Sequence, residues 1–136
     1  FDTIITRELE KAGVTHIALA GYMRLLSPEF VTHWQGRCLN IHPSLLPRHK
    51  GLNTHEAVLA AGEDETGCTI HIVTPELDDG PILGQARIKV LAHDTPETLA
   101  TRVQYAEHQL YPRVLADWVS AAQRPEALLE RVRGLA

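Results

Sequence analysis

Leu39-Asn40-Ile41-His42-Pro43-Ser44-Leu45-Leu46-Pro47, residues 39–47, is the stretch on which the reading of this chain turns. A short apolar run delivers an amide and an imidazole at alternate positions, then breaks into a loop bounded by Pro43 and Pro47. Side chains i and i+2 of an extended strand point to the same side, so Asn40 and His42 share a face while Leu39 and Ile41 turn into the packing. A hydrogen-bond donor thus stands beside a group that titrates near neutrality. Open α/β sheets keep their sites at such carboxyl ends of strands. Polar residues that merely hydrogen-bond a loop are the alternative this geometry leaves open.

The elements around the stretch set the fold class. Residues 1 to about 13 place Ile4, Ile5, Leu9 and Ala12 on one helical stripe, with Gly13 as a stop. Val14 to Ala20 is short, apolar and closed by Gly21, which predicts a strand buried on both faces. Ser27 caps a helix with Pro28 at its first position, running to about Trp34, and the strand Cys38 to Ile41 follows Gly36. Helix, strand, helix, strand in alternation predicts an α/β layer fold with right-handed crossovers.

Downstream, Asn53-Thr54-His55-Glu56 reads as a capping box for a helix that Gly62 closes. Thr66 to Thr74 is rich in β-branched residues and predicts a strand, Pro75 to Pro81 a turn region, and Ile82 to Leu91 a strand antiparallel to the last. Asp94-Thr95-Pro96-Glu97 opens the longest helix, to about Ala121, with an apolar stripe of Leu99, Val103, Ala106, Leu110 and Val114 and an expected kink near Pro112. Residues 124–136 read as a short peripheral helix. No linker interrupts the 136 residues, so a single domain is expected.

Composition narrows the function class. Thirteen basic against seventeen acidic residues leave a formal charge of −4 without a basic stripe, which disfavours nucleic acid and anionic membranes as partners. Cys38 and Cys68 lack metal-ligand spacing and read as reduced, buried thiols. With no membrane-length apolar run, a cytoplasmic protein acting on small molecules is expected. Monomer and homodimer both stay open. The chain begins at Phe1 within a helical pattern, which suggests the middle of something longer.

Further candidates each have an ordinary reading beside the chemical one. Asp78 follows the strand that holds His71, and a carboxylate near an imidazole favours its proton-donating form, although Asp78-Asp79-Gly80-Pro81 is also common turn chemistry. Glu107 flanks the apolar stripe of the long helix, where it needs a partner such as a ligand hydroxyl unless it bends out to water. Met23 with Leu25 or Leu26 could border a flat heterocycle or simply pack in the core. The eight histidines form no metal-binding motif, and Ser44 lacks a nucleophile elbow, so zinc chemistry and serine hydrolysis are not expected.

Taken together, residues 39–83 (LNIHPSLLPRHKGLNTHEAVLAAGEDETGCTIHIVTPELDDGPIL), with GYMRLLSPEF upstream and ETLATRVQYAEHQLYP downstream, resemble the catalytic portion of the phosphoribosylglycinamide formyltransferases. The resemblance covers roughly residues 1 to 120. It implies a Rossmann-like formyltransferase fold, a mostly parallel sheet flanked by helices and incomplete at the N-terminus. It also implies formyl transfer from 10-formyltetrahydrofolate, as cosubstrate, to the amine of glycinamide ribonucleotide in purine synthesis, with no metal. Carried over by position, Asn40, His42 and Asp78 match the catalytic trio. Met23, Arg24, Leu25 and Leu26, with Thr74, Pro75, Glu76, Leu77 and Asp78, match the segments that hold the folate. Gln104, Tyr105, Ala106 and Glu107 match the segment that meets the ribonucleotide, Glu107 on its sugar hydroxyls.

Related enzymes share the trio, so the acceptor rests on other residues. The tRNA-directed formyltransferases typically follow the HPSLLP stretch with Arg-Gly and a proline-bearing segment, whereas Lys50-Gly51-Leu52-Asn53-Thr54-His55 stands here and fits the nucleotide enzymes. Formyltetrahydrofolate deformylases, with water as acceptor, and a non-catalytic folate-binding fragment are the alternative readings. The family pattern begins with a strand and a glycine-rich phosphate-binding loop that these 136 residues do not contain. Weak or absent transfer is therefore expected of this chain by itself.

Overall fold

Alternation of apolar and polar residues along β2 (Cys38–His42) gives the molecule its two layers. A computed structural model describes residues 2–20 and 26–122. Its elements run α1 (Asp2–Lys11), β1 (Ile17–Leu19), α2 (Pro28–His33), β2, α3 (Thr54–Ala60), β3 (Glu65–Ile72), β4 (Ile82–Lys89) and α4 (Pro96–Ala122). The four strands form one sheet in the order β1-β2-β3-β4. On one face Leu39 and Ile41 join Cys68, Ile70, Leu83, Leu99, Val103 and Trp118 in the main core, which also takes Val58 of α3. On the other, Cys38 packs with Phe30 of α2 and with Trp34, which caps that helix, and α1 adds Ile5 and Leu9.

The α/β class and the flanking helices are as expected, and within the described residues the sheet is mixed. Strands β1 and β2 pair in parallel, as the intervening helix requires, while β2 with β3 and β3 with β4 are antiparallel. A parallel β3 would need residues 43–64 to recross the sheet; instead they return the chain beside the end of β2, where His42 pairs with Thr69. A bulge between Ile70 and His71 offsets β4, so that Ile82 opposes His71 and Leu83 enters the core.

Three local expectations need correction. Asn53 does precede α3, but it lies in the left-handed region at φ 57 and its side chain makes no cap hydrogen bond; the Thr54 hydroxyl instead donates to the Pro43 carbonyl at 2.8 Å. Strand β1 is shorter than Val14 to Ala20, with Ala18 exposed, because β2 is its one partner among the described residues. Of the stripe on α1, Ile4 is 65% exposed, and no residue of that helix is buried.

The helix starts follow their sequence signals. Ser27 accepts from the Phe30 N–H at 3.2 Å with Pro28 in the first turn. At α4 the Thr95 hydroxyl accepts from the Thr98 N–H at 3.2 Å, and the Thr98 hydroxyl accepts from the Thr95 N–H at 2.9 Å. Two threonines thereby perform the reciprocal exchange of a capping box. Helix α4 continues through Pro112. The terminal helix expected over residues 124–136 lies outside the described residues.

Candidate active site

His42 ends β2 on the sheet face that carries Cys38 and Asn40, opposite the face packed by α3 and α4. Its cross-strand neighbour is Thr69, and that of Asn40 is His71, so two strands place an amide, two imidazoles and a hydroxyl on one surface. Two loops fold over this surface. Residues 43–53 pass above Thr69, whose hydroxyl donates to the Ser44 carbonyl at 2.7 Å and accepts from the Leu46 N–H at 3.0 Å. Gln85 of β4 reaches the same loop, donating to the Leu46 carbonyl and to Thr69, each at 3.0 Å. These bonds satisfy polar groups that the loop would otherwise bury unpaired.

The second loop, between β3 and β4, brings Asp78 back to the histidines. Gly80 makes this approach possible, since a Cβ there would stand 1.6 Å from the Ile72 carbonyl oxygen. Asp78 adopts φ 50, a left-handed conformation that aspartate tolerates better than most residues, and is 8% exposed. Its Oδ2 accepts from the Gly51 N–H at 2.8 Å and lies 3.5 Å from His42 Nδ1. Its Oδ1 is 3.8 Å from His71 Nε2. Lys50 and Asp79 join the two loops by a further ion pair at 2.8 Å.

Both nitrogens of His42 meet acceptors. Nε2 is 2.8 Å from the His49 carbonyl oxygen, and a carbonyl only accepts, so this contact needs a proton on Nε2. Nδ1 faces the Asp78 carboxylate. Only the doubly protonated ring offers a donor to each, the form in which imidazole can stabilise an oxyanion and release a proton. Burial lowers the His71 pKa, with His42 acting in the same direction and the Ile72 carbonyl and Asp78 opposing. Among the described residues Asn40 Oδ1 and His71 Nε2 are buried without a hydrogen-bond partner, which leaves an acceptor on this surface for an N–H of a bound molecule.

The structure therefore brings Asn40, His42 and Asp78 onto one surface. Thr74 to Leu77 lead into Asp78, with Pro75, Glu76 and Leu77 exposed and the Thr74 hydroxyl donating to the Glu76 carbonyl at 3.3 Å. Leu26 packs against the α1–α2 cluster, and Met23, Arg24 and Leu25 lie outside the described residues. Gln104 to Glu107 sit on α4, which covers the opposite face, so they do not contact the trio. Gln104 and Tyr105 are exposed, Ala106 packs against the main core, and Glu107 is half-buried, its pKa raised by burial while His108 opposes.

Sequence reasoning left Thr69, Gln85, Ser44 and His49 out of the site. The signal for Thr69 was present, because Thr69 and His71 alternate with Cys68 and Ile70 along one strand. The partner of each depends on strand register, which no short stretch encodes.

Comparison with known proteins bears on what such a surface does. Residues 1–115 match the family model described as formyl transferase. The chain belongs to the formyl transferase family. A phosphoribosylglycinamide formyltransferase of Escherichia coli strain K12 is 46% identical over 116 residues, which cover 85% of this chain and 55% of that protein. The crystal structure of a phosphoribosylglycinamide formyltransferase from Brucella melitensis superposes with a TM-score of 0.81 at 52% identity, over 86% of this chain and 60% of that one. A formyltetrahydrofolate deformylase from Pseudomonas syringae pv. tomato has a TM-score of 0.79 at 29% identity, over 83% of this chain and 38% of that one. This family member thus spans about half the length of its E. coli relative.

Proposed function

We propose that this chain carries the reacting groups for formyl transfer from 10-formyltetrahydrofolate to the amine of glycinamide ribonucleotide. The observation that carries the reading is the His42 imidazole held between the Asp78 carboxylate and a backbone carbonyl, on the same sheet face as Asn40. The attacking amine forms a bond to the formyl carbon and builds negative charge on the formyl oxygen. The Asn40 amide N–H stabilises that oxygen, and the His42 Nε2–H does so by exchanging the His49 carbonyl for it. As the bond from the formyl carbon to the folate nitrogen breaks, the proton lost by the amine passes to that nitrogen, with His42 as carrier and Asp78 holding the imidazolium charge.

Residues 74–78, together with Met23 to Leu26, hold the folate through backbone groups in this reading, and Glu107 takes the sugar hydroxyls of the ribonucleotide. A half-buried carboxylate with a raised pKa is a group that gains from ligand hydroxyl donors. The ribonucleotide must then reach past the sheet to α4, since Glu107 and Asn40 belong to opposite faces. The small-molecule partners and a cytoplasmic setting belong to the same reading. Among the described residues no helix is long and apolar enough to cross a membrane.

The test incubates the protein with both substrates and follows formylated ribonucleotide, free formate and folate binding separately. Formylated product that disappears in His42→Ala supports transfer. Formate without formylated product assigns water as the acceptor, and folate binding with neither product leaves a folate-binding chain only.

A further inference from the structure

On the reading that His42 is the reacting imidazole, we propose that His49 and Glu63 are positioning residues for it. The carbonyl that receives His42 Nε2 belongs to His49, and its place is set by what holds that residue. His49 has φ 55, a conformation uncommon for residues other than glycine and persistent only where the surroundings enforce it. The enforcement comes from its own side chain: His49 Nε2 lies 2.9 Å from Glu63 Oε2, and the two side chains are 19% and 22% exposed. Glu63 is itself fixed between α3 and β3, its N–H donating to the Val58 carbonyl at 3.3 Å.

One residue therefore links two groups. Its side chain is tethered to Glu63, and its carbonyl faces the reacting ring. Ser44 reinforces the arrangement by sharing its one O–H between the Arg48 carbonyl at 2.7 Å and the His49 carbonyl at 3.1 Å. Arg48 lies 3.9 Å from Glu63 but is 70% exposed, so His49 is the inner partner of that carboxylate. Releasing the tether frees the left-handed residue to relax, which rotates the carbonyl away from Nε2 and leaves the ring oriented by Asp78 alone.

The test reads the His42 Nε2 proton by NMR in the ligand-free protein with 15N-labelled histidine. Exchange of that proton with water is expected to be slow in the native protein. It should accelerate roughly tenfold, the factor one charge-assisted hydrogen bond carries, in Glu63→Ala and in His49→Asn. Asparagine tolerates the left-handed backbone but is too short to reach Glu63, so His49→Asn tests the tether without new backbone strain. Glu63→Gln, which keeps an acceptor for His49, should return the exchange toward the native rate. Unchanged exchange in both disrupting variants, with β2 and β3 amide signals intact, overturns the proposal. Because no substrate is present, the outcome is separate from that of the transfer assay.

Discussion

Asp78 shows how much rests on a single side chain. One carboxylate accepts from Gly51, faces His42 and approaches His71, so it ties two loops to the strand that ends in the imidazole. Asp78→Asn keeps the size and removes the negative charge that faces His42 Nδ1. On the proposed function, any formyl transfer should fall by about 10²-fold or more, the scale of a general acid–base contribution, while circular dichroism stays native. Glu107 makes the opposite trade. Burial raises its pKa, which means the ionised form is held at a cost near neutrality. Glu107→Gln should therefore raise the unfolding free energy at pH 7 slightly, by less than about 1 kcal/mol for a half-exposed group, and on the proposed function it should weaken ribonucleotide binding. Glu107 was singled out from its place beside an apolar stripe, a pattern legible in sequence because helical periodicity is local. The meeting of Asp78 with His42 was not legible in spacing, since 36 residues separate them and only the folding back of the β3–β4 loop closes the gap.

The β3–β4 loop and helix α4 are the elements on which the site depends. Gly80 lets the loop pack against the end of β3, and Gly80→Ala would drive a methyl group into the Ile72 carbonyl. A loss of about 1–3 kcal/mol in urea unfolding is expected, and on the proposed function any transfer is lost with it because Asp78 moves with the loop. Leu99, fully buried near the start of α4, anchors that helix to the sheet. Leu99→Ala should destabilise the fold by about 2–5 kcal/mol without altering the His42–Asp78 geometry. Sequence patterns located every described helix and strand, because caps, prolines and apolar periods act over a few residues. Where they failed, tertiary context had overridden a local preference. Asn53 was drawn into a left-handed turn, and β1 was left short with an exposed alanine.

For the molecule as a whole, histidines that lose solvation on folding contribute to the response to acid. His71, His55 and His16 all have lowered pKa values, burial being the leading cause in each. Between about pH 6.5 and those lowered values the unfolded chain binds more protons than the folded one. Stability is therefore full above about pH 6.5 and declines as the pH falls below it. The urea midpoint should be lower at pH 5.5 than at pH 7.5, and His71→Gln should reduce the difference. An unchanged difference in that variant would show that His71 does not carry the effect.

The sequence by itself determined the α/β class, the order of elements and the pairing of Asn40 with His42 on one face, because period and capping are properties of neighbouring residues. It also carried the family resemblance, which needs only the joint presence of motifs. Tertiary structure decided the mixed pairing of the sheet, the two loops that cover the polar face, and the carbonyl of His49 at Nε2. Those features depend on strand register and on loop return paths, which are settled by burial of the whole core at once.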